Sequence, residues 1–191
     1  MRRFLIPALM ISLLLTGCGG SAAGAEQKIE KQRDTLASSE LMSFTADVTA
    51  SLGEEAFQCT LACAATAEEI TVEVVKPELI AGVRAHLRDG EAEVEYENVR
   101  LSLGGVATEG LHPISAMPIL CKALKTGHIV RAWLEKESSG ELVAAEIFSD
   151  ENYGLTLWFD KSTLTPVHAE LSETESGAVV ITCDIRDFQY G

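Results

Sequence analysis

The sequence is short of positive charge. Its 191 residues hold 15 Lys and Arg against 29 Asp and Glu, a formal net charge of −14. A surface this acidic repels nucleic acid and anionic lipid headgroups, so neither is expected as a partner held by charge. A run long enough to cross a bilayer is missing too. The apolar stretch that opens the chain runs only from Phe4 to Leu15, whereas a spanning helix takes about 20 residues. Catalytic motifs are absent as well: no G-x-S-x-G, no Walker loop, no G-x-G-x-x-G and no H-E-x-x-H. The four histidines, His86, His112, His128 and His168, stand apart from any cysteine pair. Each is expected as a solvated residue. No catalytic residue, metal ligand or cofactor is expected.

What the chain does have begins at its N-terminus. Arg2 and Arg3 precede the apolar stretch, and Leu15-Thr16-Gly17-Cys18 closes it. Charge, length and small residues are those of an export signal, and the last four positions resemble a bacterial lipobox. That resemblance implies diacylglycerol attachment at Cys18 and cleavage just before it. Each buried methylene contributes about 0.8 kcal/mol, so two or three acyl chains hold a protein at a membrane. The mature chain is then expected on the outer face of a cell membrane, or on the periplasmic face of an envelope membrane. Residues 1–17 are the signal, 18–27 a flexible tether rich in Gly, Ser and Ala, and 28–191 one domain.

Four more cysteines follow: Cys59, Cys63, Cys121 and Cys183. Export permits disulfides, and four cysteines allow three pairings. Cys59 and Cys63 share one face of a predicted strand. At about 3.3 Å per residue their Cα atoms are roughly 13 Å apart, against an upper limit of about 7 Å for a disulfide, so they do not pair with each other. The C-x3-C spacing fits no common zinc site. Cys121 falls on the apolar side of a predicted helix, where burial disfavours the thiolate; buried free thiols are the plain expectation for the four.

Residues 26–41 carry helix formers, with Ile29 and Leu36 on one face. The apolar period then falls to two. Phe57, Cys59, Leu61 and Cys63 alternate, as do Ile70, Val72 and Val74 before Lys76-Pro77 stops the strand. Asp89-Gly90 predicts a tight hairpin. Its return strand sets Glu91, Glu93, Glu95 and Glu97 on a wet face and Ala92, Val94 and Tyr96 on a dry one. "VRLSLGG" continues or follows that strand. A second helix is expected from Ser115 to a stop at Gly127, with Pro118 in its first turn. The remainder reads as strands again, including "YGLTLWFD" and "TPVHAELSE".

That order of elements, with its Lys-Pro corner, Asp-Gly hairpin and "GLTLWFDKSTLTPVHAEL" close, resembles the lipoprotein carriers LolA and LolB. The resemblance implies an α+β fold: a LolA-like incomplete antiparallel β-barrel of about ten to eleven strands with covering helices. It implies an apolar interior lined here by Phe57, Leu61, Val72, Val94, Tyr96, Leu155 and Leu157. It implies, further, a non-catalytic role in which that interior shelters an acyl chain. The stretch "VEVVKPELIAGVRAHLRDGEAEVEYENVRLSL" is similar in style to LolA-fold lipoproteins of spore-forming Firmicutes. Among these the GerS type binds a cell-wall enzyme instead of lipid. Two occupants are therefore open: an acyl chain in an unfilled cavity, or a partner protein on an exposed edge or apolar patch.

Overall fold

The computed structural model describes residues 20–52, 55–105, 113–137, 140–150, 153–174 and 176–191. The export signal, Cys18 and His112 lie outside the described residues. A helix, α1 (Gly20–Ser38), leads into six strands: β1 (Met42–Leu52), β2 (Glu55–Ala65), β3 (Ile70–Lys76), β4 (Arg84–Arg88), β5 (Glu91–Tyr96) and β6 (Val99–Gly105). The second helix, α2 (Pro113–Thr126), comes next. Five strands finish the chain: β7 (His128–Glu137), β8 (Gly140–Asp150), β9 (Tyr153–Asp160), β10 (Pro166–Glu173) and β11 (Val179–Tyr190).

All eleven strands join one antiparallel sheet in the order β6-β5-β4-β3-β2-β1-β11-β10-β9-β8-β7. Each run of hairpins fans away from the centre, where β1 and β11 pair along most of their length. The sheet stays open, with β6 and β7 at its edges. This is the expected α+β half-barrel.

Two-residue periodicity sets the inner face. Met42, Phe44, Ala46, Val48 and Ala50 of β1 are buried, and so are Leu155, Leu157 and Phe159 of β9. Alternate residues such as Thr45, Asp47 and Thr49 face outward. The helices cover the inner face unevenly. α2 packs on β1, β2, β3 and β8, while α1 packs on β7 and α2. Ile29 and Leu36 of α1 and Met117, Leu120, Cys121 and Leu124 of α2 are all buried there.

Three local expectations are corrected. α1 begins at Gly20, so most of the presumed tether is helical, and Ala25 is buried in the core. The alanines between those glycines favour helix strongly enough to extend it. α2 starts at Pro113, which has no N–H to leave unpaired in the first turn; Pro118 therefore sits inside the helix. Glu97 is no part of the glutamate face. With Asn98 it forms a two-residue turn at φ 47° and 68°, and β6 returns as a separate strand, pairing Val99 with Tyr96.

Gly127 ends α2 as expected, for a reason of space. A Cβ there would stand 2.3 Å from Ile147 Cγ2 and 2.7 Å from the Ala123 carbonyl oxygen. The Gly127 carbonyl is in turn capped by the Arg33 guanidinium of α1.

Candidate docking surface

The residues expected to line a ligand cavity divide into two groups. Leu61, Val72, Leu155 and Leu157 are fully buried in the core beneath the helices. The gap between α1, α2, β8 and β9 holds about 10 Å³, lined by Ile29, Leu36, Leu124, Ile147 and Phe159 among others. That is about the space of one water, so no acyl chain fits between helices and sheet there.

Val94 and Tyr96 belong to the other group. They lie on the inner face of β5, opposite Leu101 and Val99 of β6. Val94 is half-buried, but Tyr96 is 44% exposed, Val99 60%, Leu101 61% and Leu103 63%. Neither helix has its main packing on these strands. The inner face here is apolar and open. Phe57, at the start of β2, is also exposed.

The other side of this wing is charged and internally paired. Arg100 Nε donates to Glu95 Oε2 at 2.7 Å, and the His86 ring lies 3.3 Å from Glu69 and 3.5 Å from Glu95. β6 has one further property. It ends the sheet, and among the described residues no strand pairs with its far side. The wing thus joins a row of exposed aliphatic side chains to a free strand edge.

Val99, Leu101 and Leu103 were not among the expected lining residues. The alternation in "VRLSLGG" was the available signal. It places three aliphatic residues on one face, but the sequence shows neither that the preceding turn aligns that face with Val94 and Tyr96 nor that the register shifts between Glu93 and Ala92, leaving Leu103 without a direct partner on β5.

A second depression lies on the outer face, between Glu135, Trp158, His168, Glu170 and Asp184. Its polar groups answer one another. Trp158 Nε1 donates to Glu135 Oε2 at 2.8 Å, and His168 Nδ1 pairs with Asp184 Oδ1 at 2.7 Å. His, Cys, Asp and Glu form no metal-holding cluster among the described residues.

No family model and no curated protein sequence matches this chain. Solved structures do. A DUF1329 family protein from Desulfovibrio piger aligns at TM-score 0.52 and 10% identity, covering 89% of this chain and 93% of that one. An uncharacterized conserved protein from Thermus thermophilus aligns at 0.51 and 13%, covering 87% and 88%. A LolA superfamily protein from Nitrosomonas europaea aligns at 0.50 and 12%, covering 88% and 93%. The fold is LolA-like. At this level of identity the likeness concerns the path of the backbone, and the work of the LolA-like wing follows from its own residues.

Proposed function

We propose that this chain is an exported, membrane-anchored, non-catalytic accessory protein that presents its β5–β6 wing to an apolar, extended segment of a partner protein. One observation carries the reading: Val99, Leu101 and Leu103 are each more than half exposed on a strand whose outer edge has no pair among the described residues. A long apolar edge strand is a liability that folded proteins normally blunt or cover. A partner strand covers it economically. Its backbone completes the ladder, and its alternate side chains meet the aliphatic row. Export and anchoring rest on Arg2, Arg3, the apolar stretch and the Leu15–Cys18 box.

An acyl chain is the second occupant. The wing's apolar face is on the same side of the sheet as the core, and area burial alone at about 25 cal/mol per Å² holds a lipid tail. A free strand edge adds nothing to that, which is why the protein partner ranks first.

The test places a photo-crosslinking residue at Leu101 in the native host and identifies the protein captured. That protein is then purified and titrated against wild type and Leu101→Lys. Binding weakened at least tenfold by the substitution supports the reading. A fatty-acid probe is titrated in parallel. Saturable probe binding that Leu101→Lys abolishes, without any captured partner, would transfer the wing to lipid. Failure of both titrations would reject it as a docking surface.

A further inference from the structure

Cys63 and Cys121 lie 58 residues apart in sequence, yet their Sγ atoms are 3.6 Å apart. Both side chains are buried, and both thiols are free in this structure. Cys63 is on the inner face of β2, between Phe44 of β1 and Val72 of β3. Cys121 reaches it from the buried side of α2. A disulfide has its sulfurs about 2.05 Å apart, so side-chain rotation and a small shift of α2 bring the two into bonding range.

The other cysteines cannot compete. Cys59 and Cys183 both lie opposite Val48, one on each side of β1. Two strand spacings, about 9.6 Å, separate them, beyond the limit of about 7 Å between bridged Cα atoms. Cys59 and Cys63 are too far apart along their own strand. Cys63 with Cys121 is the pairing whose sulfurs already meet.

We infer that Cys63 and Cys121 form a native disulfide that staples α2 to β2, which two strands, β3 and β4, separate from the β5–β6 wing. The chain between them contains β3, β4, β5 and β6. The bridge therefore closes a covalent loop around the docking surface and removes conformational freedom from the unfolded form of that segment. Only the source of the oxidant rests on the exported reading; the geometry does not.

The chemistry is thiol–disulfide exchange. The thiolate of one cysteine attacks a small disulfide such as oxidised glutathione, forming a mixed disulfide and releasing one glutathione thiolate. The second cysteine then attacks the protein sulfur of that mixed disulfide and releases the other. The two cysteine protons end on the two glutathione thiols, and the glutathione disulfide is reduced as the protein is oxidised. Hydrogen bonding to Cys63 and burial push the Cys121 thiol well above its ordinary range. Few thiolates exist there at neutral pH, so the bond forms fastest before α2 docks and is afterwards shielded from small thiols.

The experiment refolds the full chain in oxidised and reduced glutathione, blocks remaining thiols under denaturing conditions, and maps the peptides by mass. The expected result is loss of two thiols, the mass of two hydrogens, and a linked peptide pair containing Cys63 and Cys121. Cys63→Ala and Cys121→Ala should each abolish the linkage and leave Cys59 and Cys183 free. Mapping on the wild-type chain decides the matter even if a variant fails to fold. All cysteines free after refolding, or a linkage through Cys59 or Cys183, would overturn the inference. Neither result touches the docking proposal, because thiol counting needs no partner.

Discussion

Arg186, near the end of the last strand, holds Asp47 on the first. Its Nη2 donates to Asp47 Oδ1 at 3.1 Å and its Nε to Oδ2 at 3.3 Å. Asp47 Oδ1 also accepts the hydroxyl of Thr60 at 2.7 Å, so one carboxylate ties β2, β1 and β11 together. The Arg186 hydrogen bond, with that of Thr60, holds the Asp47 carboxyl below the usual range. The two halves of the substitution test differ. Arg186→Ala removes an exposed, solvent-screened pair and should leave stability nearly unchanged. Asp47→Ala also orphans the buried Thr60 hydroxyl and should cost about 1–2 kcal/mol. Urea unfolding at pH 7 measures both, and equal losses would show that Thr60 is indifferent to its partner.

Asp160 organises the turn between β9 and β10. Its Oδ1 accepts the backbone N–H and hydroxyl of both Ser162 and Thr163. These bonds, the Ser162 hydroxyl foremost, lower its carboxyl to about 2. A carboxylate depressed in the folded state stabilises that state above its unfolded pKa, about 4, and the contribution drains as pH falls toward the folded value. The stability advantage of wild type over Asp160→Asn should therefore be flat from pH 7 to 5 and shrink between about 4 and 2. An advantage that grew in acid would refute this account of the turn.

Core and wing should respond oppositely to truncation. Leu61 is fully buried in the core, and Leu61→Ala should cost about 2–5 kcal/mol. Leu101→Ala should change stability by less than about 0.5 kcal/mol while weakening the docked complex. Thermal melts and partner titration on the two variants separate fold from function.

Gly127→Ala should destabilise by about 1–3 kcal/mol, since the new methyl meets both Ile147 and a backbone oxygen that cannot swing away. A melt unchanged from wild type would mean that α2 ends elsewhere.

Cys18→Ala should abolish labelling by a fatty-acid probe in the host and leave the uncut precursor on a gel. Labelling that persists would place the acyl group on another residue.

Periodicity made most of this architecture legible. Asp89-Gly90 announced its hairpin, and both residues take the positive φ that such a turn requires. Glu97-Asn98 makes the same kind of turn without announcing it, because Glu rarely adopts positive φ and no glycine follows. Alternation also set Val94 and Tyr96 on the face away from the glutamates, but that face is not dry there, since Tyr96 is 44% exposed. It could not show whether a helix lies above them, since cover depends on where α1 and α2 dock. The meeting of Cys63 with Cys121 was hidden for the same reason. Each was assigned to an apolar face, but the register of α2 over the sheet is a tertiary fact.

The pairing of β1 with β11 at the centre of the sheet has a consequence for time as well as space. Leu41 and Gly191 exchange backbone hydrogen bonds at 3.0 Å in both directions, so the middle of the sheet is assembled from its most distant parts. A chain emerging N-terminus first shows β1 with β2 as its only central neighbour until β11 arrives. Through that interval β1 is an open strand edge at the heart of the domain, and closing it carries the loop entropy of nearly the whole chain. The two hairpin fans can form early, but they become one body only when the last strand slots between them. The domain therefore closes only once β11 is available to pair with β1.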